Sequence, residues 1–245
     1  MGDMLGVRFI GVDDNVNIHT LEDWGCYMHN RQTVTPPEVK WLTEDIPGAN
    51  GKLNYTKALS GRVNYKNRTL HIELFVLDAM IKWDAIYSMM LDALHGRQFH
   101  IIFDSDANYF YDGWAYIVEL QSSRKKGIIV IECDVEPFKY EMYSSLDDWL
   151  WDPFNFEDGI IREYKNLTVS GTRTLIIPGR RMEVVPTFTV HSTGGTGMDV
   201  TFEGVTYHLS EGDSRVPAID LGEGDNELIF AGTGTVSVDY RGGRL

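Results

Sequence analysis

The residues best suited by type and spacing to do chemistry lie in one short run, Asp104-Ser-Asp106-Ala-Asn108, with Asp112-Gly113 beyond it. A calcium-binding loop begins with carboxylate and amide oxygens at alternate positions. The rest of the run departs from such a loop, because Tyr109 stands where the loop needs glycine and Ala115 where it needs a bidentate glutamate. Asp and Asn also favour turns between strands. We interpret the run as a turn, assign no metal ligand, and leave open whether it binds calcium.

Other signatures of catalysis or cofactor binding are missing from the sequence. Gly194-Gly195-Thr196-Gly197 and Gly232-Thr233-Gly234 lack the following helix and lysine of a phosphate-binding loop, so both are predicted to be hairpin turns. There is no GxSxG or HExxH motif, and the closest histidines, His95 and His100, are assigned structural roles. Nothing marks two carboxylates facing each other across a glycosidase cleft. We predict no catalytic residue and no cofactor, and an enzyme remains the third of three hypotheses.

The two cysteines, Cys26 and Cys133, form neither a disulfide framework nor a pattern of metal-ligand spacing. Cys133 continues an alternation of apolar residues with Ile129, Ile131 and Val135. This pattern predicts a small buried side chain in a strand rather than a reactive thiol.

The composition indicates a folded protein, with 43% hydrophobic and 24% charged residues among 245. The net charge is -14, from 36 acidic against 22 basic residues. Affinity for nucleic acids and for anionic membranes comes largely from Lys and Arg, so specific binding to either is not expected. The sequence begins without a basic stretch followed by an apolar one, and no apolar run approaches about 18 residues. We therefore expect a soluble protein made in a cytoplasm.

The first half of the chain shows mostly the period-two alternation of strands. Strands are predicted around Leu70–Val76, Phe99–Phe103, Trp114–Leu120 and Ile129–Val135, the last two forming a hairpin across Ser122–Gly127. Between them, one amphipathic helix is predicted over about residues 79–95, with Asp78 as N-cap and Gly96 as the C′ residue. Its buried stripe has helical spacing and consists of Trp83, Ile86, Tyr87, Met90 and Leu94.

Pro137 ends this run of strands, and an aromatic, acidic stretch without regular period follows. Its Trp149, Trp151, Phe154 and Phe156 suit either a sugar-binding surface or a linker packed between domains, and we favour the linker. Beyond it, short alternating strands separated by glycines predict a β-sandwich. The predicted fold is mainly β, with a domain over residues 1–140 that contains one helix, a linker over 141–164 and an all-β domain over 165–245.

One block of residues is distinctive: Asp45-Ile46-Pro47-Gly48-Ala49-Asn50-Gly51-Lys52-Leu53-Asn54, then Leu59-Ser60-Gly61, then Tyr65-Lys66-Asn67-Arg68-Thr69-Leu70. Within it, Pro47-Gly48 and Asn50-Gly51 are turn formers, and we expect the polar, aromatic-bearing loop that carries them to project and contact a neighbour. The block resembles the N-terminal domain of the distal tail proteins of siphophages. Arg8-Phe9-Ile10-Gly11 resembles the opening strand of that family, and residues 133–140 the close of its first domain. Residues 222–230 and 240–243 match the end of its second domain. The resemblance therefore covers nearly the whole chain, in the family's order.

The resemblance implies a structural virion protein. Its first domain would be a β-sandwich of split-barrel type that builds a ring of six copies, and its second a peripheral galectin-like β-sandwich. The ring would lie at the tail tip between the tail-tube protein and a tail-associated hub or fibre protein, and a receptor-binding protein stays open as a further partner. DNA would leave through the central channel. Six copies carry a net charge of about -84, and an acidic channel wall would not hold DNA.

A carbohydrate-binding module is the alternative hypothesis, because a β-sandwich with aromatic residues is a common scaffold for sugar binding. The mass in solution discriminates between the two. A hexamer favours the ring, whereas a monomer with sugar affinity favours the module.

Overall fold

The computed structural model describes residues 4–28, 30, 33–58, 61–122, 126–146 and 164–245. Within these ranges strands predominate, as predicted, and one helix exceeds two turns. The chain divides into two compact units, residues 1–139 with residue 245, and residues 140–244. The aromatic residues of the predicted linker, Trp149 to Phe156, lie outside the described residues.

The first unit contains strands and two α-helices, joined in places by 3₁₀ turns at Met80–Lys82 and Asp104–Asp106. In chain order its elements are β1 (Val7–Gly11), β2 (Asn17–His19), α1 (Thr20–Trp24), β3 (Cys26–Met28), β4 (Thr33–Val34), β5 (Thr43–Asp45), β6 (Lys52–Asn54), β7 (Arg68–Val76), α2 (Trp83–Leu94), β8 (Arg97–Phe103), β9 (Tyr109–Ser122) and β10 (Gly127–Val135). A further strand, β11 (Lys139–Glu141), begins where this unit ends.

The main sheet of the first unit is antiparallel, in the order β2-β1-β8-β9-β10-β7-β3, and β4 also pairs with β7. Gly127 lies opposite Ser122, so the predicted hairpin of β9 and β10 is confirmed. The inward side chains of these strands are buried together with one face of α2. At Gly127 an added Cβ would lie 2.7 Å from the Trp83 ring, which shows how closely the helix packs on the sheet.

The predicted helix is present, but its start was predicted wrongly. The α-helix begins at Trp83 after the 3₁₀ turn, and Asp78 does not cap it. Instead, the Asp78 carbonyl accepts a hydrogen bond from the Trp83 indole at 2.9 Å, and its carboxylate pairs with Lys82 at 3.1 Å. Gly96 follows the C-cap with a φ of +73°, as predicted. The five-residue helix α1 was not predicted, because it is too short to show a period.

The strand β9 is confirmed, but three of its large apolar residues lie on its exposed face. Trp114, Tyr116 and Val118 are each between 42 and 49% exposed, whereas Ala115 and Ile117 between them are buried. The pairing register with β10 shifts between Val130 and Ile131, which skips Val118. This β-bulge reverses the alternation, so that Leu120 returns to the core side.

The second unit contains β12 (Leu167–Gly179), β13 (Thr187–Ser192), β14 (Met198–Phe202), β15 (Val205–Leu209), β16 (Gly212–Arg215), β17 (Gly224–Asp239) and β18 (Gly243–Arg244). Its sheet has the order β15-β14-β17-β13-β16, and β12 pairs with β17 along thirteen residue positions. Alternating apolar residues of β13, β14 and β17 fill a separate core that includes Phe188, Val200 and Phe230.

Both glycine runs were predicted to be hairpin turns. The structure confirms the first run as a turn and contradicts the second. Gly194 and Gly195 form a turn with positive φ angles. Gly232-Thr233-Gly234, predicted to be a turn, lies inside β17. A Cβ at Gly234 would lie 2.2 Å from the His191 carbonyl oxygen of the neighbouring strand. Glycine is needed there for the close approach of two strands, and not for a reversal of the chain.

Candidate assembly surfaces

The acidic run whose first residues resemble the start of a calcium-binding loop is held by hydrogen bonds and an ion pair from other residues of the chain. The Asp104 carboxylate accepts hydrogen bonds from the Gly6 amide at 2.6 Å and from the His19 imidazole at 3.0 Å. The Asp106 carboxylate pairs with the Lys139 ammonium. Among the described residues, no group of three or more His, Cys, Asp and Glu side chains is arranged to hold a metal ion. These contacts tie Gly6, His19 and Lys139 to the turn after β8.

Both cysteine thiols are buried within the first core. Burial raises the pKa of the Cys26 thiol to about 12 and raises that of Cys133 as well, with smaller contributions from nearby carboxylates. A thiol is reactive as the thiolate, so burial makes both groups inert. This agrees with the structural role predicted for Cys133.

Arg68, at the start of β7, is buried at 6% exposure with its guanidinium over the Tyr111 ring, 4.9 Å from the ring centre. Its Nε and Nη2 atoms are buried without a hydrogen-bond partner. Burial lowers the pKa of the guanidinium, and the adjacent tyrosine opposes that shift. The cation–π contact offsets part of the cost of burying this charge.

The most exposed part of the first unit is the segment that carries the predicted turns at Pro47-Gly48 and Asn50-Gly51. Its ends are joined by a bridge between Val39 and Tyr65, and β5 and β6 form a hairpin within it. Every residue from 40 to 55 is exposed. The exposed residues include five large apolar side chains, with Trp41 at 66%, and the others are Leu42, Ile46, Leu53 and Tyr55. We call residues 38–66 the hairpin segment.

An ordered hairpin with apolar side chains in water is a feature of a protein–protein contact surface. Its backbone is well held, since the Tyr55 amide donates to the Leu42 carbonyl at 2.7 Å and the Leu42 amide donates to the Thr56 hydroxyl at 3.1 Å. The segment is therefore a defined surface before any partner binds. Its turn residues were recognised from sequence, but the exposure of its apolar residues was not.

A second surface is the outward side of β7, β8, β9 and β10. Within these four strands, all of whose residues are described, the outward positions carry five carboxylates and neither Lys nor Arg. Trp114 and Tyr116 lie among these carboxylates, which are Glu73, Asp112, Glu119, Glu132 and Asp134. We call this surface the acidic sheet face.

Two histidines on the acidic sheet face contact its carboxylates. The His71 imidazole lies between Glu73 and Glu132 at 3.6 and 3.5 Å. His100 lies 3.4 Å from the Asp112 carboxylate, which also accepts a hydrogen bond from Gln98. These hydrogen bonds, that of His100 first, lower the pKa of Asp112 against the opposing effect of burial.

Sugar recognition by the second unit would depend on aromatic and polar side chains at its surface. Residues 165–245 contain no tryptophan. Polar contacts at its surface include His208 with Asp199 at 2.8 Å and Ser192 with Glu211 at 2.7 Å. A pocket beside Pro178 and Tyr240 holds roughly one water molecule, too little for a sugar ring. No helix in the described part of the chain is long and apolar enough to cross a membrane.

No protein-family model matches the chain, and no curated protein matches its sequence. Among solved structures, the chain is similar to the Dit protein (gp 19.1) of SPP1, described as a paradigm of the hub adsorption apparatus in phages that infect Gram-positive bacteria. The match has a TM-score of 0.64 and 12% identity, over 99% of this chain and 100% of that one. The baseplate of phage p2 in its activated conformation with Sr matches at a TM-score of 0.37 and 8% identity, over 99% of each chain.

The chain therefore has the fold of a Dit protein along its whole length. The resemblance to the distal tail proteins that the sequence motifs indicated is confirmed at the level of the fold. The weaker match to the p2 baseplate adds no argument.

Proposed function

We propose that this protein is a structural component of a phage tail tip, a distal tail protein that forms a ring of six copies between the tail tube and the host-adhesion device. The observation that carries the proposal is the structural match to the SPP1 hub protein over 99% of this chain and 100% of that one. This match is a similarity of structure at 12% sequence identity, so it supports the proposal separately from the sequence motifs. In this proposal the protein is not an enzyme and needs no cofactor.

The domains have separate roles in this proposal. Residues 1–140, a β-sandwich of split-barrel type, build the ring, and residues 141–164 form the linker. Residues 165–245 form a peripheral galectin-like sandwich. Two separate cores support this division. The partners are other copies of this chain, the tail-tube protein, a tail-associated hub or fibre protein and a receptor-binding protein.

The exposed hairpin segment supports self-assembly. Five large apolar side chains of the hairpin segment are exposed to water in a single copy. Contact with a neighbouring copy would remove this apolar surface from water, which is energetically favourable. A surface used head to tail between identical copies closes into a ring when the rotation between copies closes.

The acidic sheet face supports DNA passage when it lines the channel. DNA is held by Lys and Arg paired with phosphates, and this face presents only carboxylates among its charged positions. Five carboxylates in each of six copies place about thirty acidic groups around the opening, so DNA passes without being retained.

The proposal is tested by mass photometry and negative-stain microscopy of the purified full chain over a range of concentrations. We expect hexamers and six-fold rings with an open centre. A monomer at every concentration, with no rings in the micrographs, contradicts the proposal.

A carbohydrate-binding module remains the alternative, and a glycan array with the full chain separates it from the ring. We expect no saturable binding by the second unit, because it lacks a tryptophan for stacking on a sugar. Specific, saturable hits from a monomeric protein favour the module instead.

A further inference from the structure

The helix α2 has a second apolar face that the core does not use. Its inward stripe, with Trp83 and Met90, is buried. On the other side, the helix exposes Ala85 and Met89, and the residues before it continue the apolar row with Leu77, Met80 and Ile81, of which Ile81 is 91% exposed. We call this row the helix ridge. A helix that is apolar on two faces is usually covered on both.

The charges around the helix ridge differ in sign from those of the hairpin segment. Residues 77–92 contain Asp78, Asp84 and Asp92 against Lys82, a net charge of -2. The hairpin segment contains five Lys and Arg against three Asp and Glu, a net charge of +2 in a protein of net charge -14. Both surfaces thus have apolar centres, and their charges are complementary.

The two surfaces remain exposed in the same copy, so neither covers the other there. Contact between two helix ridges would bring two surfaces of charge -2 together, and contact between two hairpin segments would bring together two of charge +2. Like charges across an interface oppose binding. The charges therefore favour contact between different surfaces of successive copies.

We propose that the hairpin segment of one copy packs on the helix ridge of the next copy. This inference rests on the proposed ring and names the two surfaces that close it. Such an interface is heterologous, as a ring requires. Because α2 covers the inward side of the sheet, the ridge lies on the opposite side of the first unit from the acidic sheet face. Contact at the ridge leaves that face free to line the channel.

Charge reversal tests the proposal. One variant carries Lys40→Glu and Lys57→Glu in the hairpin segment, and the other carries Asp84→Lys and Asp92→Lys beside the ridge. Each variant alone faces like charges, so we expect ring assembly to need at least about tenfold more protein than the wild type. An equal mixture restores attraction at every contact, and we expect it to form rings of alternating variants near the wild-type concentration.

The control matched to the ridge variant is Glu223→Lys with Asp225→Lys, the same charge change on exposed residues of the second unit. It should assemble as the wild type does. Circular dichroism of all variants checks that the fold is intact. Rings from either single variant at the wild-type concentration, or no rescue in the mixture, would overturn the proposal.

Cysteine cross-linking provides an independent measurement, because the native Cys26 and Cys133 are buried. With a short bismaleimide, a chain carrying both Leu53→Cys and Ile81→Cys should give a ladder up to six copies. Each single cysteine alone should stay monomeric on the gel. Dimers from Ile81→Cys alone would indicate contact between two ridges. A wild-type protein that forms rings while the double cysteine gives no ladder refutes this interface but leaves the proposed function standing. A wild type that never forms rings refutes both.

Discussion

Replacement of Gly234 by alanine tests whether β17 runs straight through the glycines that resemble a turn. The backbone there has a φ of +150°, and a new Cβ would lie 2.2 Å from the His191 carbonyl oxygen and 2.7 Å from the Ser192 Cα. Both are backbone atoms of β13, so neither can rotate away. The unusual backbone conformation costs about 1–3 kcal/mol, and forcing an extra carbon into a packed site costs about 1–3 kcal/mol. We expect Gly234→Ala to lower the free energy of unfolding of the second unit by about 4 kcal/mol.

Gly195 provides the matched control for this substitution. It too has a positive φ, of +68°, but nothing lies within 4 Å of a Cβ built on it. Gly195→Ala therefore incurs only the cost of the backbone conformation, and we expect it to lower the free energy of unfolding by about 1–2 kcal/mol.

The assay is hydrogen exchange of the full chain followed by mass spectrometry. Tryptophan fluorescence does not report on residues 165–245, which contain none. Peptides that cover β13 and β17 should lose protection in Gly234→Ala, while peptides from β7 in the first unit keep theirs. If Gly234→Ala costs no more than Gly195→Ala, then no strand approaches Gly234 closely, and the turn indicated by the sequence is the better description.

Three further predictions concern groups of the first unit. Asp112→Asn should destabilise the protein near neutral pH, because the folded state lowers the pKa of Asp112. The stabilisation that Asp112 gives the folded state is fully present above the ordinary carboxyl pKa of about 3.9. It is lost as the pH falls through the lowered pKa of Asp112, so the free energies of unfolding of variant and wild type, measured against pH, should converge in acid. Cys26 and Cys133 should not react with a maleimide at mildly alkaline pH until denaturant unfolds the unit, and labelling of the native protein would contradict their burial. Arg68→Met removes a buried charge without hydrogen bonds at Nε and Nη2, so denaturant unfolding should show stability unchanged or raised by about 1 kcal/mol, whereas a loss of several would indicate an anion bound there.

The sequence by itself determined the elements whose signals are local. Period-two alternation located β7 and β10, and helical spacing located the buried stripe of α2, because the repeat of each backbone is set by geometry within a few residues. Pro47-Gly48 and Asn50-Gly51 located the turn of the hairpin segment, since those residues favour its backbone angles. Order and spacing of such motifs were enough to indicate the fold of a distal tail protein.

Tertiary structure decided which faces of those elements are buried and which distant residues they contact. Alternation in β9 marks two faces but not which one meets the core, and Trp114 lies outside because Ala115 packs inside. The partners of Asp104 stand 98 and 85 residues earlier in the chain, where no local pattern can point to them. The glycines of β17 look like a turn until β13 is placed beside them. Exposure of the helix ridge depends in the same way on what packs against it. Contacts between residues distant in sequence form only when the chain folds, so only the folded chain determines which apolar residues remain for a neighbour.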